Sequence, residues 1–209
     1  TCGTTMHHAA LTQVPQSRNV GVAVGIHSIE WKQVCFNIPA GRTVFAGFYG
    51  LHFVSGRVSY ALGLQGPSTS IDAACAASLV TCHAATRALQ YGECDSHLAV
   101  GINLCLIQSV SIALVAAGMC SVKGRCHTFD SRADGYARSE GCAMVLLHPS
   151  QATFEVKGSA VRADGRSASL TAPNGLAQQG LIKATLADAA TAADDLHMNE
   201  AHGTGTQLG

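Results

Sequence analysis

Residues 20–26 read VGVAVGI, seven positions without a single polar side chain. A strand with one wet face alternates apolar and polar residues, so an unbroken apolar run of this kind marks a strand covered on both faces. Such strands belong to α/β domains, where helices cover the sheet. The rest of the chain keeps to that pattern, with short apolar runs alternating with helical ones and no internal repeat or low-complexity tract. Leu51, Val54, Val58 and Leu62 recur at helical spacing until Gly66-Pro67 breaks the run. Residues 68–74 form a short strand centred on Ile71, which turns into a helix over 75–91 stopped by Gly92. Residues 98–106 and 142–148 read as further buried strands, with a buried helix near 112–117 and a long loop over 118–140 between them. A strand over 154–161, an amphipathic helix over 177–190 carrying Leu181, Ile182 and Leu186, and a last strand over 196–201 complete the series. The break at His148-Pro149-Ser150 sets a seam, giving an expected first half of 1–150 and a second of 151–209.

Composition removes several classes of function. Thirteen Lys and Arg balance thirteen Asp and Glu, so no basic excess exists to attract nucleic acid or an anionic membrane. Charged residues make up only 12% against 47% hydrophobic, which excludes disorder and implies that part of the surface meets another subunit or domain. The apolar stretch over 98–120 is interrupted by Asn103, Gln108, Ser109 and Ser111 and broken by Gly101 and Gly118, so no membrane span is expected there. Nine cysteines without a C-x-x-C pair do not make a disulfide framework, and reduced thiols in the cytoplasm are the better reading. The opening TCGTTMHHAALTQ has neither a basic nor an apolar leader region, and HGTGTQLG ends in mid-loop, so the chain reads as a piece of something longer.

In GPSTSIDAACAASLVTCHAA, Cys75 falls where a strand turns into a helix. Unpaired backbone N–H groups and the positive end of a helix dipole at such a point favour a thiolate. The sharp turn resembles a nucleophile elbow, and Ala73, Ala74, Ala76 and Ala77 let a substrate come close. An isolated cysteine is ordinarily an inert small hydrophobe, and that reading is kept for Cys82, Cys94, Cys105, Cys120 and Cys142.

EAHGTGT, residues 200–206, sets an imidazole at the end of the expected last strand, the end at which α/β folds hold ligands. Gly203 and Gly205 admit a thin substrate, and Thr204 and Thr206 offer hydroxyls to its amides. A phosphate-cradling loop is the competing reading, but a bare G-x-G is weak evidence for one. Paired with Cys75, His202 points to Cys/His acyl chemistry. The other nine histidines lack metal-ligand spacing with a nearby carboxylate, so no metal is expected. FDSRADGYARSEG, residues 129–141, is either a solvated loop or an internal lattice of Asp130, Arg132, Asp134, Arg138 and Glu140 that fixes the loop beside a site.

Five segments in order, GRVSYALGLQGPS, DAACAASLV, FDSRADGYARSEG, DGRSASLTAPNG and EAHGTGTQLG, make the chain resemble a β-ketoacyl synthase, specifically the ketosynthase domain of a type I polyketide synthase. The resemblance implies a thiolase-like α/β fold, two similar halves in a layered αβαβα arrangement, here incomplete at both ends, with Cys75 in the first half and His202 in the second. It implies a homodimer, an acyl carrier protein as partner, other polyketide synthase domains in the same chain, and substrates held on phosphopantetheine, with no cofactor bound directly. Cys75 would accept the acyl chain and its N–H would supply half of an oxyanion hole. His202 would donate to the enolate left by decarboxylation of a malonyl-type extender. Thr204 and Thr206 would grip the pantetheine, and Ala76 and Phe129 would also contact substrate. The chain departs from the family pattern at Ala73, Ala76 and Ala77, where Thr and serines are usual, and at His127-Thr128, where Arg-Pro is frequent. The segment after Leu147 is also shorter than usual. The family's second catalytic histidine and its lysine fall beyond Gly209, so these 209 residues alone are expected not to condense substrates. A Cys/His hydrolase and a non-catalytic carrier-docking relative are the alternatives, and polyketide against fatty-acid assembly stays open.

Overall fold

The computed structural model describes residues 17–38, 50–150, 154–169 and 172–206. They group into two compact units. One holds the residues up to Ile107 together with Glu140–Glu155, and the other holds Gln108–Ser139 together with those from Val156 onward.

The first unit is built on a four-stranded sheet. In chain order it contains β1 (Val20–Ile26), α1 (Glu30–Phe36), α2 (His52–Leu62), β2 (Ser68–Ile71), a single 3₁₀ turn (Ala74–Ala76), α3 (Ala77–Gln90), β3 (Ser96–Asn103) and β4 (Gly141–Leu147). The strand order is β2-β1-β3-β4, with β1 parallel to both neighbours and β4 antiparallel on the edge. The continuous apolar run is β1, and it is buried on both faces as its composition requires.

The two faces of β1 differ in size. Val20, Val22 and Val24 join Leu98 and Val100 of β3 in the core, where Val54, Val58 and Leu62 of α2 pack on them. The opposite face carries Gly21, Ala23 and Gly25 from β1 and, in register, His97, Ala99 and Gly101 from β3. Against this shallow face lies the small-residue stripe of α3, with Ala77, Thr81, Ala85 and Ala88 all buried. Small side chains on both partners let the helix backbone approach the sheet closely.

The ends of these elements follow ordinary chemistry. Gly63, left-handed at φ 66°, closes α2 before the Gly66-Pro67 break, its N–H donating to the Tyr60 carbonyl. Buried Glu30, at the start of α1, accepts the N–H groups of Leu106 and Ile107 at 2.6 and 2.8 Å and so fastens the segment after β3.

The second unit contains α4 (Gln108–Ala116), a loop closed by a bridge between Cys120 and Tyr136, α5 (Gly175–Asp188) and a 3₁₀ turn (Ala193–Asp195). Asn174 caps α5, its side-chain oxygen accepting from the N–H groups of Leu176 and Ala177. Several sequence expectations are corrected here, and in the first unit the strand read as buried over 142–148 forms as β4 without a buried residue. The strands over 154–161 and 196–201 are irregular chain, because an apolar run becomes a strand only when a neighbour completes a ladder, and neither joins one among the described residues. Both helices form, but neither α4 nor α5 contains a buried residue. Their apolar side chains are spread around the axis, with Ile112 and Val115 of α4 more than half exposed, so neither helix has the single apolar face that buries against one neighbour. Among the described residues no helix is long and apolar enough to cross a membrane.

Candidate active site

In the first unit, β2 ends at Ile71 and the chain passes through Asp72 and Ala73 into the 3₁₀ turn that carries Cys75. Ala74 has φ 48°, the left-handed region that costs an L-residue with a Cβ about 1–2 kcal/mol. The turn is held by local hydrogen bonds. The N–H of Ala74 donates to Asp72 Oδ1 at 3.0 Å, and the N–H of Ala76 donates to the Ala73 carbonyl at 3.0 Å. Strain of this kind persists where surrounding contacts over-determine it, and here it lifts Cys75 and Ala76 out of the sheet, both exposed, at the start of α3.

The other thiols divide by burial. Cys35 and Cys94 are buried, and burial pushes the thiols of Cys82 and Cys94 up. Cys105 and Cys120 are half-buried. Cys142 departs from the inert-core expectation, because it lies exposed on β4, the edge strand among the described residues.

In the second unit, His202 is exposed and opens the Gly/Thr loop. Gly203 and Gly205 have φ 52° and 67°, so this loop needs glycine at both positions. Between and after them, the hydroxyls of Thr204 and Thr206 lie 3.2 Å apart, both residues half-buried. The loop over 127–136 is pinned beside it. Thr128 Oγ1 donates to the Gly203 carbonyl at 2.7 Å, and the N–H of Gly135 donates to the Gly205 carbonyl at 3.0 Å. A methyl added to Gly203 would stand 2.6 Å from Thr128 Cγ2, which is how close the two loops are. On that second loop Phe129 has φ 60° and is 90% exposed, a large apolar ring held outward by a strained backbone.

Contacts of the charged residues of FDSRADGYARSEG reach several places. Arg132 forms a two-point pair with Asp130, whose carboxyl falls to about 2 as a result. Arg138 donates to Ser111 Oγ, and Glu140 accepts the N–H of Cys105 in the first unit, so these groups serve separate contacts. The Thr128 hydroxyl and the Gly135 N–H, donating to the Gly203 and Gly205 carbonyls, fix this loop against 203–205. Among the described residues no three His, Cys, Asp or Glu side chains converge as a metal site.

The motifs gave no role to His27, whose Nδ1 lies 3.0 Å from the same Asp72 oxygen that holds Ala74. That hydrogen bond first, and the Ala74 N–H second, draw the Asp72 carboxyl below its ordinary value. The available signal was positional, since both residues follow the last pairs of two parallel strands. It is usable only once that pairing is known.

The first unit thus presents Cys75 on a strained turn from strand to helix, and the second carries His202 at the head of a Gly-Thr-Gly-Thr loop. The family model described as "Beta-ketoacyl synthase, N-terminal domain" matches residues 1–152, and that for "Beta-ketoacyl synthase, C-terminal domain" matches 153–209. The chain belongs to the β-ketoacyl synthase family. It is 39% identical over 197 residues to a phenolphthiocerol/phthiocerol polyketide synthase of Mycobacterium tuberculosis, covering 90% of this chain and 13% of that protein. It is also 39% identical over 199 residues to a partially reducing polyketide synthase of Menisporopsis theobromae, covering 90% of this chain and 8% of that one. The ketosynthase from module 6 of the bacillaene synthase of Bacillus subtilis superposes with a TM-score of 0.79 at 30% identity, over 90% of this chain and 34% of the other. An oxazolomycin ketosynthase domain of Streptomyces albus gives 0.81 at 32%, over 91% and 36%. The fold is thus the thiolase-like α/β fold of ketosynthases, and the chain spans about a third of the length of those solved chains.

Proposed function

We propose that this chain carries the acyl-accepting part of a β-ketoacyl synthase working in polyketide assembly. The observation that carries the reading is Cys75, exposed on the left-handed elbow between β2 and α3. As a thiolate it attacks the carbonyl of an acyl thioester on the phosphopantetheine arm of an acyl carrier protein. The carrier thiol leaves and the acyl chain stays on Cys75. A malonyl-type extender on a carrier then loses CO₂, and the resulting enolate attacks the acyl-Cys75 carbonyl. A carbon–carbon bond forms, the bond to sulfur breaks, and the β-ketoacyl product leaves on the carrier.

His202 is the proposed donor to the enolate oxygen, and the Cys75 N–H the proposed donor to the tetrahedral oxyanion. Thr204 and Thr206, half-buried on a pinned loop, suit a grip on the pantetheine amides. Ala76, beside Cys75, and Phe129, held outward, are proposed contacts for the acyl chain. The halves 1–150 and 151–209 would supply Cys75 and His202 respectively. The reaction as proposed draws on side chains and a carrier-bound arm, without a directly bound cofactor. Its setting is a homodimer in the cytoplasm, joined in one chain to other polyketide synthase domains.

The test is to offer the full-length protein an acyl carrier and a malonyl carrier and to follow the products by mass spectrometry. A β-ketoacyl carrier with release of CO₂ is expected. Release of free acid alone would make the protein a hydrolase, and no reaction at Cys75 would make it a docking relative.

A further inference from the structure

His27 stands one residue beyond β1, and Asp72 one residue beyond β2. The strands pair in parallel with Gly25 opposite Ile71, so their carboxyl ends bring both side chains to one edge of the sheet, Nδ1 3.0 Å from Oδ1. That Oδ1 also accepts the N–H of Ala74. The Asp72 carboxyl is held below its ordinary value, so at neutral pH it is an acceptor only, and His27 Nδ1 must carry the shared proton. Two donors therefore meet on one oxygen, immediately before the left-handed alanine that presents the thiol. Ser28, the residue after His27, is itself left-handed at φ 66°. Each strand thus leaves the sheet near a strained non-glycine residue, and the His27–Asp72 bond ties the two exits together.

We propose that His27 is a positioning residue for Cys75: by donating to Asp72 it fixes the carboxylate that holds the Ala74 N–H, and so keeps the strained elbow in the conformation that presents the thiol. It acts through Asp72 and not on the reacting atoms. Asp72 is partly exposed, and without the imidazole its carboxylate can turn to water, releasing Ala74 to relax toward the right-handed region. The thiol is then correctly presented for a smaller fraction of the time. The inference rests on reading Cys75 as the acyl acceptor, although the device itself is defined by the elbow alone.

The test compares His27→Ala, His27→Asn, Asp72→Ala and the double variant His27→Ala/Asp72→Ala in the full chain. Asn returns an N–H near the place of Nδ1. Two rates are read on the peptide containing Cys75 by mass spectrometry, alkylation by iodoacetamide and acylation by a short acyl thioester of N-acetylcysteamine. Both are expected to fall about threefold in His27→Ala, the scale of a solvent-exposed charged pair, and to return to within about 1.5-fold in His27→Asn. The double variant should be no slower than Asp72→Ala, because the two residues act in series. Unchanged rates in His27→Ala, a His27→Asn as slow as His27→Ala, or additive losses would each overturn the proposal. So would a fall in melting temperature beyond about 5 °C in His27→Ala, which would make the residue a prop of the fold instead. If the unaltered protein is alkylated at Cys75 but never acylated there, the acyl-acceptor reading falls, while the alkylation series still decides the role of His27.

Discussion

Gly25 of β1 and Gly101 of β3 stand opposite each other in the parallel ladder, and the first turn of α3 rests on both. A methyl on Gly25 would lie 2.6 Å from the backbone carbon and oxygen of Ala77, and one on Gly101 would lie 2.6 Å from Ser78 Cβ. The glycine pair therefore sets the height of α3 above the sheet, and with it the height of the elbow that ends in Cys75.

Gly25→Ala should destabilise the protein by about 1–3 kcal/mol, since the added carbon meets backbone that cannot step aside. Gly101→Ala should cost a similar amount, because Ser78 Cβ is fixed to the helix backbone and cannot swing away. Urea titration gives the stabilities. The alkylation rate of Cys75 should fall in both variants.

Thiol exposure predicts an order of modification. With N-ethylmaleimide near neutral pH, Cys75, Cys126 and Cys142 should react first, and Cys35 and Cys94 only on unfolding. Peptide mapping over time reads this directly. Early modification of Cys94 would contradict the core described for the first unit.

Buried His97 carries the clearest dependence on pH. Burial draws its value below 6.5, against the smaller opposing pull of its hydrogen bond to the Leu98 carbonyl, so the folded protein keeps it neutral. The unfolded chain binds the proton more readily. Its contribution to stability is thus complete above 6.5 and is lost as the pH falls below that value. Asp72 and Asp130 are lowered carboxylates, whose contributions are present above 3.8 and fade only at more acid pH. Urea midpoints measured from about pH 7 to about pH 5 should fall, and His97→Gln should flatten that fall.

The loop over 203–206 is latched from outside. Thr128→Val keeps the shape and removes the donor to the Gly203 carbonyl, which should cost about 1 kcal/mol and speed amide exchange at Gly203 to Thr206. Thr128→Ser should restore protection. Unaltered exchange in Thr128→Val would show that the Gly135 bond alone holds the loop.

The sheet of the first unit was legible because its signals are local. VGVAVGI could be nothing but a doubly covered strand, and the elbow followed from a strand, a break and a helix in succession. The unequal faces were also written in the alternation of Val with Gly and Ala, though their meaning required the register of β1 with β3. The second unit was less legible. The runs 154–161 and 196–201 are apolar enough for strands, but a ladder is a property of two segments and cannot be read from one. His27 was silent for the same reason, because its partner Asp72 is 45 positions away and is reached only through strand pairing.

The most direct measurement is intact-protein and peptide mass spectrometry of the full-length protein after exposure to an acyl carrier thioester. The account predicts one acyl group, on Cys75, absent from Cys75→Ala and released as a β-ketoacyl carrier when malonyl carrier is added. Acyl transfer to Cys126 or Cys142 at the same rate as to Cys75, or none to Cys75 at all, would contradict it.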